Sequence, residues 1–199
     1  TPADSVNYWG CYFVNDNVGL VIGEGCSVPY TQYFWRTTDG GASWIAKTYN
    51  EPYSGLTDLI LYSENGLGYA TSSGFIWSTM DGGKNWNIYE KDGPNIWQEE
   101  ITNIGNSFLV PYAGTTCSGG NTDGGMRFYD GGTWRSYKTG VEMFGAFMIN
   151  EETGWACGDY DAVYYTNDAG RNWELRNCGI NQAHLDDIWF INANTAWIA

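Results

Sequence analysis

Short apolar runs alternate with polar turn residues along the whole chain, and no stretch shows the 3.6-residue period of an amphipathic helix. The runs are rich in aromatic and β-branched residues, which is typical of β-strands. Asparagine and glycine separate several of them, as at 15–19 and 150–154. The pattern predicts an all-β chain of antiparallel hairpins with almost no helix.

One turn sequence recurs four times and divides the chain into repeats. The copies read TTDGGASW at 37–44, TMDGGKNW at 79–86, FYDGGTW at 128–134 and TNDAGRNW at 166–173. Their aspartates are 42, 49 and 38 residues apart. A strand-like run lies on each side of every copy, and a second hairpin precedes it. A period near 40 residues with four short strands per repeat is typical of a β-propeller.

The residues of this turn are expected to be structural. An aspartate carboxylate accepts main-chain N–H bonds across a turn, a glycine adopts positive φ without strain, and a tryptophan covers the turn. Four equivalent sites in successive repeats cannot converge on one ligand. The expected structural set is Asp39, Gly41, Trp44, Asp81, Gly83, Trp86, Asp130, Gly132, Trp134, Asp168, Gly170 and Trp173.

The repeat resembles the Asp-box, or bacterial neuraminidase, repeat, whose pattern is Ser/Thr-x-Asp-x-Gly-x-x-Trp. Three copies match it fully, whereas the third has Phe128 at its first position and is one residue short before Trp134. Together with GWACGD at 154–159, the repeats resemble the photosystem II stability/assembly factor family. The resemblance implies a seven-bladed propeller but no single function, because Asp-box blades also build sialidases, xyloglucanases and sorting receptors.

We expect four blades of four antiparallel strands and part of a fifth, in a single propeller domain over 1–199. The blades cover about 7–50, 54–92, 97–140 and 141–179, with the partial blade at 183–199. Four and a half blades do not close a ring. We therefore expect the sequence to be the front part of a longer propeller, or to be completed by another chain.

Charge narrows the range of partners. Nine Lys and Arg residues against 23 Asp and Glu give a net charge of −14, which disfavours nucleic acid and anionic membranes. No apolar run approaches the roughly 20 residues of a membrane span. Abundant aromatic residues and few lysines favour an extracellular or periplasmic location. We expect a protein or a glycan as the partner.

The chain has five cysteines and no CxxC pair, so zinc-ribbon and thioredoxin-type sites are not indicated. An odd count leaves at least one thiol unpaired within the chain. One or two disulfides in an exported protein and buried free thiols remain open alternatives. The cysteines are Cys11, Cys26, Cys117, Cys157 and Cys178.

The sequence marks no catalytic set. The sequence has one histidine, His184, and no nucleophile elbow whose serine it could activate. Asp159 and Asp161 lie close together, but the residues around them do not form a complete calcium-binding loop. The arginines lie mostly in or beside outer strands rather than where a sialidase would bind a carboxylate. We expect no cofactor, no metal site and no catalytic residue, and favour a non-catalytic binding or assembly scaffold.

Candidate ligand-binding residues lie near the starts of the inner strands, which surround the channel on one face of a propeller. The set is Asp58, Glu99, Glu100, Glu142, Asp186, Asp187, Trp97 and Trp189. The acids form either a solvated rim or, in the alternative function, the paired carboxylates of a secreted glycoside hydrolase. The tryptophans are either core residues or stacking platforms. The long segment at 112–125 is a further candidate binding loop.

Overall fold

The computed structural model describes residues 6–25, 31–51, 55–91, 96–114, 123–176, 179 and 183–199. Within these ranges the chain forms eighteen β-strands and no helix, so no helical segment that could cross a membrane is found there. The chain divides into two compact units, residues 1–95 and 96–199. Cys26, Cys117, Cys178 and most of the 112–125 candidate loop lie outside the described residues.

Two four-stranded antiparallel sheets form the first unit, and each strand pairs with its neighbours in sequence. The first sheet contains β1 (Val6–Phe13), β2 (Gly19–Gly25), β3 (Gln32–Thr37) and β4 (Ile45–Tyr49). The second contains β5 (Leu56–Leu61), β6 (Gly68–Ser72), β7 (Phe75–Thr79) and β8 (Asn87–Lys91).

The core of the first unit lies between its two sheets. Leu20 and Ile22 alternate along β2 and are fully buried with Phe34 of β3, in one cluster with side chains of the second sheet. The Phe34 ring lies 5.6 Å from Trp77 and 4.6 Å from Trp86, measured between centroids. Each large apolar side chain buried in this way contributes about 1.5–3 kcal/mol to folding.

The second unit contains two further four-stranded antiparallel sheets and one two-stranded hairpin. The third sheet contains β9 (Thr102–Ile104), β10 (Ser107–Tyr112), β11 (Gly125–Tyr129) and β12 (Trp134–Lys138). The fourth contains β13 (Met143–Met148), β14 (Gly154–Gly158), β15 (Val163–Thr166) and β16 (Glu174–Leu175). The hairpin consists of β17 (Ile188–Asn192) and β18 (Thr195–Ile198).

Two apolar clusters hold the second unit together. One joins the third and fourth sheets and includes Leu109, Phe128 and Met148. The other joins the fourth sheet to the last hairpin through Cys157 and Ile188. The same kind of face-to-face burial therefore recurs from sheet to sheet within this unit.

Three of the four sheets have an irregularity in their first strand. The register shifts between Tyr8 and Gly10 in β1, between Leu56 and Leu59 in β5, and again in β13 just before Gly145. A bulge of this kind bends the strand and leaves a residue outside the regular ladder. In β13 it allows a close approach, since a Cβ atom at Gly145 would lie only 2.6 Å from the Cα of Asp187.

Candidate functional site

Three of the four aspartate turns share one hydrogen-bond pattern. In the first, Asp39 Oδ1 accepts the Thr37 hydroxyl at 2.7 Å and the Ser43 N–H at 2.9 Å, while Oδ2 accepts the Ser43 hydroxyl at 2.5 Å. The Thr37 hydroxyl oxygen accepts the N–H of Gly41 at 2.9 Å. The equivalent residues of the second and fourth turns repeat the pattern. Both carboxylate oxygens therefore close the hairpin turn.

These hydrogen bonds lower the pKa of each carboxyl. Bonds from the Ser43 side chain and main chain, with one from Thr37, lower the pKa of Asp39 to about 2. In Asp81 and Asp168, burial acts to raise the pKa of the carboxyl. Hydrogen bonds, donated mainly by the asparagine four residues after each aspartate, outweigh this effect, so both pKa values lie below the ordinary value. A carboxylate that is ionised and occupied by local donors is poorly suited to act as a general acid.

The third turn is built differently because it is one residue shorter. Asp130 pairs with Arg135, with 2.5 Å between Oδ2 and Nη2, and its Oδ1 accepts the N–H of Thr133 at 2.8 Å. The Arg135 guanidinium holds the pKa of Asp130 below its usual range. The positive φ expected at Gly132 is not observed. Gly131, directly after the aspartate, has a φ of +86°, and the residue directly after the aspartate has positive φ in the other three turns as well. The shorter turn therefore has one left-handed residue, whereas each of the others has two.

The four turn tryptophans have structural surroundings. Trp44 donates its indole N–H at 3.0 Å to a main-chain carbonyl of its own turn. Trp86 and Trp173 are buried in the apolar clusters of their units. Trp134 is half-buried, with the guanidinium carbon of Arg127 4.4 Å from its ring centroid. These rings serve the packing of the blades.

Three of the candidate acidic residues come together in the second unit. Burial is the main cause that raises the pKa of the Cys157 thiol to about 12, and the nearby charges of Glu100, Asp187 and Asp186 add to it. Glu100 Oε2 also accepts the N–H of Ala146 at 2.6 Å. At least one of these carboxylates is thus engaged in holding the first strand of the fourth sheet.

The other candidate acids have different environments. Asp58 lies half-buried in the first unit, where its main-chain carbonyl accepts the Thr71 hydroxyl at 3.3 Å. Glu99 is half-buried, and its N–H donates to the carbonyl of Pro111 at 3.2 Å. Glu142 directly precedes the buried start of β13 and is only 2% exposed. It therefore does not lie on a solvated rim. Its Oε1 has no hydrogen-bond partner among the described residues.

His184 is held between two carboxylates, an arrangement that the sequence did not reveal. Its Nδ1 lies 2.6 Å from Asp159 Oδ1 and its Nε2 lies 2.8 Å from Asp186 Oδ1. The hydrogen bond with Asp159 raises the pKa of His184, although partial burial acts against it, and the charge of Asp186 adds to the increase. The ring also packs on Phe144, with 4.5 Å between centroids. The imidazole therefore links two acidic segments rather than serving a nucleophile.

Trp189 and Trp197 form a cross-strand pair on the last hairpin, and we call them the tryptophan pair. Directly opposed residues in antiparallel strands lie on one face, with Cβ atoms about 5 Å apart. The two side chains are 59% and 68% exposed. Trp97, the other candidate, is half-buried with its indole nitrogen enclosed. The sequence did not point to Trp197, because its position opposite Trp189 follows only from the strand register.

The described part of the chain holds no group of three or more His, Cys, Asp or Glu side chains that could bind a metal ion. Cys11 is exposed and Cys157 is buried, and each is a free thiol. The burial of Cys157 and the raised pKa of its thiol make it a poor nucleophile.

The four sheets define the class of protein to which this chain is similar. Repeated four-stranded antiparallel sheets, in which each strand pairs with its sequence neighbours, are the blades of a β-propeller. Among solved structures, 105 chains match this one. The WD40 β-propeller domain of Doa1 matches the whole chain with a TM-score of 0.66 and 11% identity, and this chain covers 63% of that one. The predicted fold class, β-propeller blades of four strands, is confirmed.

Two structures of YCF48 match as well. YCF48 bound to D1 peptide shares 15% identity with a TM-score of 0.49, and the match covers all of this chain and 77% of that one. YCF48 from Cyanidioschyzon merolae shares 12% identity with a TM-score of 0.40, and covers all of this chain and 93% of that one. No protein-family model and no curated protein matches the sequence. At these identities the likeness concerns the fold alone.

Proposed function

We propose that this protein is a non-catalytic scaffold that binds a protein partner through the tryptophan pair. The observation that carries the proposal is the exposure of two indole rings, Trp189 and Trp197, on one face of a hairpin. Tryptophan is highly buried on average in soluble proteins and is enriched at the energetic centres of protein interfaces. Each ring offers a large contact area and loses few rotamers on binding.

The state of the candidate carboxylates supports a non-catalytic role. Glu100 bonds to the main chain, Asp186 bonds to His184, and Glu142 is buried. A glycoside hydrolase needs two carboxyl groups, about 5–9.5 Å apart, that are free to act on the sugar. The scaffold function is therefore favoured over the hydrolase alternative.

We also propose that the four aspartate turns are Asp-box turns with a purely structural role. Supporting this, three turns share the same threonine, aspartate and glycine hydrogen bonds. The third turn replaces part of that network by the ion pair between Asp130 and Arg135. In all four, the carboxylate accepts bonds from its own turn.

A glycan is the alternative ligand, because aromatic rings that bind apolar side chains also stack on sugar rings. The net charge of −14 favours the protein partner, since it attracts cationic peptides and adds nothing to the binding of a neutral glycan. We propose a location outside the cytoplasm, supported by the aromatic-rich, lysine-poor composition. Immunodetection in fractionated source cells tests it, and recovery in the cytoplasmic fraction would refute it.

Peptide selection tests the proposed function. A phage library displaying random peptides is selected against the immobilised 199-residue chain, and the affinity of the selected peptides is measured by fluorescence anisotropy. We expect Trp189→Ala and Trp197→Ala each to weaken binding roughly thirtyfold, the effect of losing about 2 kcal/mol at an interface hot spot. Tyr160→Ala is the matched control, because Tyr160 is an exposed aromatic residue outside the hairpin.

Two results would contradict the proposal. Unchanged affinity in both tryptophan variants would remove the pair from the binding site. Binding to a glycan microarray without any selectable peptide would make the ligand a glycan instead.

A further inference from the structure

A pocket in the first unit gathers positive charge in an otherwise acidic protein. It has a volume of about 300 Å³ and lies between the outer strands of the first sheet and the second aspartate turn. Three of the nine basic residues of the chain line it, namely Arg36, Lys47 and Lys84, and no Asp or Glu does. We call it the basic pocket.

The positive charges of the basic pocket have neutral partners. The Arg36 guanidinium donates through Nε to the main-chain carbonyl of Gly82 at 2.8 Å and through Nη2 to that of Glu64 at 2.9 Å. Lys84 Nζ donates to the amide oxygen of Asn65 at 2.9 Å. Among the described residues, no carboxylate forms an ion pair with any of the three cations. None of the three is therefore held by a carboxylate of that part of the chain.

The two carbonyl bonds also fix the orientation of the Arg36 side chain. A guanidinium has five N–H donors in a planar fork, and these bonds use Nε and part of Nη2. Nη1 has no partner within the described residues. A fork whose orientation is already fixed suits a carboxylate or a phosphate, because little side-chain freedom is lost when the anion binds.

The wall of the pocket adds an apolar surface. Ile45 lines it and is 74% exposed, an unusual state for a large aliphatic side chain on a β-strand. The aliphatic stems of Lys47 and Lys84 extend that surface. A volume of about 300 Å³ is at the lower end of the range for small-molecule sites.

We propose that the basic pocket binds a small organic anion, a carboxylate or phosphate group carried on an apolar body. The anionic group meets Arg36 and the two lysines, and the apolar body packs on Ile45. This site does not involve the tryptophan pair, and its test is independent of peptide binding.

Three aromatic probes of similar shape test the proposal by NMR titration of the isotope-labelled 199-residue chain. They are benzoate, phenyl phosphate and the neutral benzamide. We expect saturable shifts at the amides of Gly83 and Lys84 and at the Ile45 methyl groups with one or both anions. Benzamide is expected to bind at least about tenfold more weakly than the better anion, since it lacks the charge. Comparing benzoate with phenyl phosphate shows which anionic group the pocket prefers.

Charge removal at the pocket provides the second arm. The double variant Lys47→Met/Lys84→Met keeps side-chain length on exposed residues, so its fold is maintained, and a thermal melt verifies this. We expect the affinity for the better anion to fall about fivefold, and Lys138→Met, an exposed lysine of the second unit, to leave it unchanged. Equal binding of benzamide and the anions, an unaffected double variant, or no saturable shift with any probe would each overturn the proposal.

Discussion

Single residues in this protein act mainly by closing contacts within the chain. Asp39, Asp81 and Asp168 each use both carboxylate oxygens to hold a hairpin turn, and Asp130 uses an arginine for the same purpose. The donors in the three matching turns are the threonine two residues before and the residue four positions after the aspartate. Because these hydrogen bonds are local, we expect substitutions of the aspartates to lower the stability of the protein rather than to weaken its binding directly.

Asp81→Ala removes the acceptor for the Thr79 hydroxyl and for the main chain and side chain of Asn85. We expect the free energy of unfolding to fall by about 1–3 kcal/mol, because the Asn85 and Thr79 donors lose their partner. Asp81→Asn retains one side-chain oxygen and should lose less. Chemical denaturation measures both. A variant of unchanged stability that no longer binds the selected peptides would show that Asp81 has a direct role in binding.

His184 makes stability depend on pH in a defined direction. Its folded-state pKa is raised above the ordinary value near 6.5, so its stabilising contribution is complete below about pH 6.5 and is lost as pH rises through the folded-state pKa. His184→Gln should therefore destabilise the protein more at about pH 5.5 than at about pH 9. Urea denaturation of both proteins at the two pH values gives the comparison. If His184→Gln lowered the free energy of unfolding equally at the two pH values, the imidazolium would not be stabilised by Asp159 and Asp186.

Among the strands, β13 has a special position because three segments of the second unit meet at its bulge. Gly145 leaves room for the main chain of Asp186 and Asp187, which leads into β17. The next residue, Ala146, donates its N–H to Glu100. The missing side chain and the bulge together allow the last hairpin to pack on the fourth sheet.

Gly145→Ala should destabilise the second unit. The added Cβ would lie 2.6 Å from the Cα of Asp187 and 3.0 Å from the carbonyl oxygen of Asp186, so main chain has to move, at a cost of about 1–3 kcal/mol. Gly132→Ala is the control, because its nearest heavy atom is 3.8 Å away, and it should change stability by about 0.5 kcal/mol or less. Similar melting temperatures for the two variants would contradict this packing at the bulge.

The sequence predicted what depends on local pattern, whereas the remainder depends on the conformation of a shortened turn, on exact strand register and on contacts between distant segments. Strands, hairpins and the number of blades follow from alternation and from turn residues within eight positions of each other. The shortened third turn was visible in the sequence, but the loss of positive φ at Gly132 was not. His184 and Asp159 are 25 residues apart, and the tryptophan pair depends on a register that a bulge resets. The first contact joins distant segments, and the second lies within one hairpin but depends on a bulge that the sequence pattern does not show.

The net charge of the protein and its exposed aromatic residues determine which class of partner we expect. The net charge of −14 attracts cations over a Debye length of about 8 Å at physiological salt. An apolar hot spot on such a molecule favours peptides that place Lys or Arg around an aromatic or aliphatic anchor. The basic pocket is the local exception to this charge, which is why its expected ligand is an anion.

The most direct test of the binding site is the indole N–H spectrum of the ¹⁵N-labelled chain during titration with a selected peptide. Trp189→Phe and Trp197→Phe each remove one signal and so assign the pair among the eleven tryptophans. We expect these two signals to shift most, while those of the turn tryptophans Trp44, Trp86, Trp134 and Trp173 stay in place. Largest shifts at the turn tryptophans, with the pair unchanged, would contradict this expectation.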